Sequence, residues 1–356
     1  MKMSRFLNEE LRNLEPYTPG EQPKVVGRLV KLNTNENPYG PSPKAAEALA
    51  NADAGSLRLY PDPDGSDLVA AIAENCGVAP AEIMIGNGSD EILAFMFMAF
   101  GKRIWFPETS YGFYPVFNDV FGCEGHEIPL EEDLSVDIEK YKGVPGTVVI
   151  ANPNAPTGLA LSLGEIEELL QANSDTLVVI DEAYVDFGAE TAAPLIKKYD
   201  NLMVIRTLSK SLGLAGLRVG WCMGCEDIIS DMKRVKFSFN PYNVDRIALA
   251  VAAAGVRDTE YFEATRGRIM ATRKRFIAAM EELGFTIPDS KTNFVFARSG
   301  RIAGADYFHE LRKRNIIVRY FDKDPIRDYV RITMGTDEDM DLLLEATEEI
   351  LKEAGK

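Results

Sequence analysis

Histidine is nearly missing from this chain of 356 residues, which has only His126 and His309. Metal sites and catalytic triads built on histidine are therefore not expected. Positive charge is short as well: 39 Lys and Arg stand against 55 Asp and Glu, a net charge of −16. Nucleic acid needs a basic footprint, and an anionic membrane surface attracts the same sign, so neither is an expected partner. Any anionic substrate must be held by a local cluster of arginines against the global field. The four cysteines make no disulfide framework. Cys76 and Cys123 stand alone, and the C-x-x-C of Cys222 and Cys225 lacks a second pair or a nearby histidine for zinc. No apolar run reaches membrane-spanning length, and MKMSRFLNEE lacks the apolar core of a secretory signal. The chain is expected to be cytoplasmic.

What is present is ordinary for a globular protein, with 46% hydrophobic and 26% charged residues. The length suits two domains. Residues 1–30, broken by Pro16, Pro19 and Pro23, read as an arm. From 31 to about 245 short apolar runs alternate with helical patterns. Strands are expected at Ile83–Ile85, Arg103–Phe106, Thr147–Ile150, Leu177–Ile180 and Met203–Arg206. Ser162 and Glu165 have capping-box spacing for the helix that follows them. This alternation predicts an α/β fold, a mostly parallel sheet flanked by helices. Beyond Asp245 the pattern changes to a long helix over 258–283, short strands around 293–297, 316–319 and 329–333, and a last amphipathic helix over 338–353. That suits a smaller α+β domain over 246–356, joined by the N-terminal segment.

In open α/β sheets, ligands collect at the carboxyl ends of strands, and the unusual residues here sit at such ends. After Met203–Arg206 come Thr207, Leu208, Ser209 and Lys210, then Arg218. Lysine is seldom fully buried, and its amine is a nucleophile when uncharged. Hydroxyls before it and an arginine after it suit a phosphate. A lysine nucleophile beside a phosphate site suggests a Schiff base with pyridoxal phosphate. The other reading is a surface lysine in a strand-to-helix loop. GNGSDE, from Gly86 to Glu91, puts Ser89 and Asp90 at a helix start, where free N–H groups favour a phosphate. Glu91 stands where a dinucleotide fingerprint needs its third glycine, and a simple helix cap is an equal reading. Asp181 ends the apolar run LVVID, where an unpaired carboxylate is costly. A protonated pyridine nitrogen would be a good partner, and Tyr184 could reach the phenolic oxygen of the same ring. An N-cap aspartate with a core tyrosine is the alternative. Tyr111 could stack on the ring or be a core aromatic.

Together these residues resemble the pyridoxal-phosphate aminotransferases of fold type I, and most nearly the histidinol-phosphate aminotransferase family. The resemblance runs through EPYTPGEQP, LNTNENPYGPSP, LYPDP, GNGSDE, SYGFY, NPNAPTG, DEAY, TLSKSLGLAGLRVGW, NPYNV, IIVRYF and VRITMGT, in order. It implies a large pyridoxal-phosphate-binding domain and a smaller α+β domain. Lys210 would carry the cofactor and move the proton. Asp181 would pair with the ring nitrogen, Tyr184 with the phenolic oxygen, and Tyr111 would stack. The amides of Ser89 and Asp90, with Thr207, Ser209 and Arg218, would hold the phosphate. Tyr60 would reach that phosphate from a neighbouring subunit, which implies a homodimer. Arg331 would grip the substrate's anionic group by a bidentate fork, with Arg319 as a second anion-binding arginine. Tyr17 and Asn35 fall in segments that close over the substrate. The family usually has asparagine immediately before P-T-G. Here that position is Ala155, and Asn154, one residue earlier, is the nearest stand-in. The implied reaction joins histidinol phosphate, a small amino-alcohol phosphate, to 2-oxoglutarate as the 2-oxo acid. A phosphothreonine decarboxylase and an aromatic aminotransferase resemble the same motifs. So does an aminotransferase-like ligand sensor, against which the acidic balance speaks.

Overall fold

A computed structural model describes residues 4–22 and 27–354. Residues 1–3 and 23–26 of the expected arm, Pro23 among them, lie outside the described residues. Seven strands form the large sheet, in the order Ile83–Gly86, Gly220–Gly224, Leu202–Thr207, Val178–Asp181, Thr147–Ala151, Arg103–Pro107 and Glu124–Ile128. Five of them, from Leu202–Thr207 to Glu124–Ile128, run parallel to one another; Gly220–Gly224 is antiparallel to both strands beside it. The expectation of a mostly parallel sheet holds.

The reason lies in the residues. Successive side chains of a strand point to opposite faces. Val148, Ile150, Val178, Ile180, Leu202 and Val204 enter the core on one face. Val149, Val179, Met203 and Ile205 enter the core on the other. A strand buried on both faces must be apolar throughout, and these are. The polar residues come only at the ends of the strands, at Thr147, Asp181, Arg206 and Thr207.

A second sheet is antiparallel, in the order Arg319–Tyr320, Tyr329–Thr333, Phe294–Ser299 and Phe285–Thr286. Helices Thr259–Glu282, Gly304–Lys313 and Asp337–Ala354 cover it with Ile269, Phe276, Leu311, Leu343 and Ile350. The run expected over 316–319 divides at Val318. Ile316–Ile317 pairs parallel with Val30–Lys31, while Arg319–Tyr320 joins the second sheet. Val30 and Leu32 therefore belong to the smaller core. The chain starts there, crosses to the large sheet, and returns.

The change of pattern read at Asp245 is a helix cap rather than a change of core. Asp245 accepts the Ala248 amide at 2.9 Å. The helix it opens, Arg246–Val256, buries Ala248, Val251 and Ala252 against helices Pro43–Ala50 and Ser66–Cys76 in the large-sheet core. Several elements escape the sequence reading, among them helices Phe113–Phe121, Glu226–Phe239, Arg246–Val256 and Gly304–Lys313 and strands Gly220–Gly224 and Glu124–Ile128. Strand Glu124–Ile128 lies at the sheet edge, and none of its residues is buried. Its sequence, EGHEI, accordingly lacks the apolar run of its neighbours.

Candidate active site

Three strand ends build the centre of the site, those of Leu202–Thr207, Val178–Asp181 and Ile83–Gly86. Thr207 closes its strand, donates from Oγ1 to Ser209 Oγ at 2.9 Å and accepts the Ser209 amide at 3.1 Å. This tight turn carries the chain out of the sheet to Lys210. Lys210 Nζ donates to the Thr34 carbonyl at 3.3 Å and lies 5.6 Å from the centre of the Tyr184 ring. Asn37 Nδ2 donates to the carbonyls of Lys210 (3.2 Å) and Ser211 (2.9 Å).

Asp181 ends the adjacent strand and is 4% exposed. Burial pushes its carboxyl up to about 6. Two donors pull the other way: Tyr114 Oη to Oδ2 at 2.9 Å and the Ala183 amide to Oδ1 at 3.2 Å. Tyr114 is itself buried, which holds its hydroxyl well above the usual tyrosine range and keeps it a donor. Three residues beyond Asp181, Tyr184 Oη accepts Asn35 Nδ2 at 2.8 Å. Asn35 is buried in the left-handed region, with φ 56°. Thr333 fixes it there, donating from Oγ1 to Asn35 Oδ1 and accepting the Asn35 amide, both at 3.0 Å.

The end of Ile83–Gly86 leads into helix Gly88–Phe100. Asp90, in its first turn, accepts Tyr111 Oη at 2.6 Å and Arg218 Nη2 at 3.1 Å. Arg218 also reaches Ser209 Oγ at 3.5 Å. Gly88 has φ +80°, and a Cβ there would stand 2.6 Å from Arg218 Nη2. A Cβ on Gly220 would meet the Ser89 amide nitrogen at 2.5 Å. Both glycines let backbone and guanidinium approach closely. The helix is capped as well: Glu91 Oε2 accepts the Asn87 amide at 2.6 Å. Glu91 thus has a structural role where a dinucleotide motif would carry glycine.

One cavity is lined by Ser89, Asp90, Tyr111, Asp181 and Tyr184, and also by Thr207, Ser209, Lys210 and Arg218. A second shares Tyr111, Tyr184 and Lys210 with it and adds Tyr17, Arg319 and Arg331. Tyr17 stacks on Phe113 at 4.2 Å. Arg319 and Arg331 are directly opposed on neighbouring strands. Like charges so placed are destabilising unless an anion lies near both. Arg331 Nη2 donates to the Asn33 carbonyl at 2.9 Å, while its buried Nε has no partner among the described residues. Burial, with Arg319 beside it, lowers its pKa from the usual arginine range.

Two residues singled out from the sequence are not brought to these cavities. Asn154 is buried beside them with its amide spent: Nδ2 donates to the Thr109 carbonyl (3.0 Å) and Thr157 Oγ1 (3.2 Å), and Oδ1 accepts Ser110 Oγ (2.7 Å). Ala155, in the turn over 155–157, lines both cavities instead. Tyr60 is 77% exposed and stacks on Tyr242 at 4.6 Å. Conversely, Tyr114, Thr34 and Asn37 touch Asp181 and the Lys210 segment without having been singled out. Tyr114, in the first turn of helix Phe113–Phe121, packs edge-on against Tyr111 with ring centres 5.7 Å apart.

The family described as aminotransferase class I and II matches residues 28–346. The histidinol-phosphate aminotransferase of Brachyspira hyodysenteriae is 46% identical over 354 residues, 98% of this chain and 100% of the relative. That of Acinetobacter baumannii (strain SDF) is 49% identical over 340 residues, 94% of each chain. Among solved structures, histidinol-phosphate aminotransferase from Sinorhizobium meliloti in complex with pyridoxal-5'-phosphate superposes with a TM-score of 0.85, at 26% identity over 99% of both chains.

Proposed function

Because this chain belongs to the aminotransferases of class I and II, we infer that it moves an amino group from histidinol phosphate to a 2-oxo acid with pyridoxal phosphate as its cofactor, a step of histidine synthesis. Relatives bearing that name match it nearly end to end. The observation that carries the reading is the joining of two cavities at Lys210 and Tyr184. One is lined by donors suited to a phosphate and by a buried carboxylate, the other by two opposed arginines.

The residues present fit the cofactor. A carboxyl raised to about 6 by burial is relieved by a cation beside it, and a protonated ring nitrogen is one. Thr207, Ser209 and Arg218, with the amides of Ser89 and Asp90, hold the phosphate; the glycines at 88 and 220 keep room for that approach. Asp90, which takes both Tyr111 and Arg218, orients the stacking ring and the guanidinium together. When bound, pyridoxal phosphate supplies an electron sink beside the amino carbon of the substrate.

The chain's own groups do the rest. Lys210 Nζ takes the proton from that carbon and returns it, as general base and then acid. The Asn35 amide occupies one lone pair of Tyr184 Oη, so the hydroxyl keeps its own proton to offer the ring's phenolic oxygen. Asn35, which also lines the outer cavity, thereby orients Tyr184. Arg331 and Arg319 hold the anionic end of the substrate, and Tyr17 closes the outer cavity. Tyr60 reaches the phosphate site of a second copy, which makes the active unit a homodimer.

Incubation of the purified protein with pyridoxal phosphate, histidinol phosphate and 2-oxoglutarate tests this. Glutamate should appear in step with loss of the amine. Release of carbon dioxide from phosphothreonine without an acceptor would make the protein a decarboxylase. Preference for phosphate-free aromatic amines would make it an aromatic aminotransferase.

A further inference from the structure

Behind the cofactor cavity runs a chain of charged and polar side chains, with Ser211 and Glu182 buried and Asp186 and Arg206 half-buried. Ser211, next to Lys210, is 2% exposed, and its hydroxyl donates to Asp186 Oδ2 at 2.5 Å. Asp186 lies two residues past Tyr184, in the short turn Val185–Phe187. Its other oxygen takes the Arg206 guanidinium. Arg206 lies four residues before Lys210, and its Nε is 4.0 Å from Glu182 Oε2. Glu182 neighbours Asp181 and accepts Thr191 Oγ1 at 2.6 Å and the Ala192 amide at 2.5 Å. None of these four side chains lines the cofactor cavity. Each nevertheless adjoins a segment that does.

Buried ion pairs are weak contributors to stability, and well-packed apolar residues often do better. Their value lies in fixing geometry. Lys210 needs that, because the segment from Leu208 to Leu214 is neither helix nor strand. Asn37 holds its carbonyls on one side, and Ser211 anchors it to Asp186 on the other. We propose that Ser211 and Asp186 are positioning residues that lock the Lys210 loop to the Tyr184 turn, so that the amine is held against the cofactor site. The proposal rests on the reading of Lys210 as the reacting amine. The hydroxyl supplies the link between the turns, and Arg206 holds the Asp186 side chain in place to receive it.

The test uses the full chain with Ser211→Ala, Ser211→Thr and Asp186→Asn. Cofactor-stripped protein is mixed with pyridoxal phosphate, the product is trapped with borohydride, and the modified Lys210 peptide is counted by mass over time. Steady-state kcat and KM and the melting temperature are measured beside it. Loss of one hydrogen bond to a charged group should slow capture and kcat by about tenfold in Ser211→Ala, with KM and melting temperature nearly unchanged. Ser211→Thr, which keeps the hydroxyl, should recover most of the rate. Asp186→Asn should slow capture and kcat as Ser211→Ala does, with a fall in melting temperature of its own because Arg206 loses its partner, and the double variant should capture no more slowly than Asp186→Asn. Capture by Ser211→Ala at the wild-type rate overturns the proposal. So does a parallel loss of kcat, substrate affinity and melting temperature in that variant, the pattern of a loosened fold. If the wild-type protein does not capture the cofactor at Lys210, the assignment of the lysine fails first; if it does and Ser211→Ala matches it, only the positioning role fails.

Discussion

Asp181 and Arg331 carry the two charges at the site that water reaches least. For Asp181 the sign of the pH effect follows from its raised pKa. The folded protein holds that proton up to about pH 6, whereas an unfolded chain releases it near 3.9. Stability from this group is therefore full at low pH and is lost as pH rises through that window. In cofactor-free protein, Asp181→Asn removes the loss, so its stability relative to wild type should grow between roughly pH 4 and 6.5, by at most about 3 kcal/mol. Urea denaturation of both proteins across that range checks it. A difference independent of pH would mean the carboxylate is not held up by burial. For Arg331, lysine keeps the charge but loses the planar fork and the bond to Asn33. Arg331→Lys should raise KM for histidinol phosphate by roughly tenfold or more, the equivalent of one charge-assisted bond of about 1.5–3 kcal/mol. An unchanged KM in steady-state assays would place the anion elsewhere.

At the scale of elements, helix starts do two different jobs. Ser162 and Glu165 form a reciprocal capping box on helix Leu163–Ala172, away from both cavities. Ser162→Ala should cost about 1 kcal/mol in urea denaturation and leave kcat untouched. The start of helix Gly88–Phe100 is instead part of the site. Gly88→Ala puts a side chain into the left-handed region, a strain of about 1–2 kcal/mol, and drives Arg218 away from Asp90 and Ser209. Its affinity for pyridoxal phosphate, read by fluorescence titration of the stripped protein, should fall by more than the strain alone explains. An equal fall in both would reduce Gly88 to a turn residue. The capping box was legible in the sequence because its partners are three residues apart. Strand Glu124–Ile128 was not, because an edge strand wets one side and loses the apolar signature.

Over the whole molecule, a homodimer has a direct test at Tyr60, which lies open on this chain. Tyr60→Ala and Lys210→Ala should each be weak or inactive alone. Mixed and allowed to exchange, they should regain activity, because one site of the hybrid would have an intact Lys210 and a Tyr60 from the other subunit. Up to about a quarter of wild-type activity is expected from equal mixing, since roughly half of the pairs would be hybrids with one good site. No recovery after demonstrated exchange would confine Tyr60 to its own chain. The sequence by itself determined the alternation of strands and helices, the strand ends that carry Lys210, Asp181 and Arg218, and the order of motifs that marks the family. Those are properties of neighbours along the chain: apolar runs, glycine at turns, polar residues where a strand leaves the core. Only the tertiary structure decided that Asn35 holds Tyr184, that Tyr114 holds Asp181, that Asn154 faces away while Ala155 lines the cavity, and that helix Arg246–Val256 belongs to the large core. These pairings join residues tens to hundreds of positions apart or depend on which way a side chain turns, and no local pattern encodes either until the two cores pack and bring their edges together.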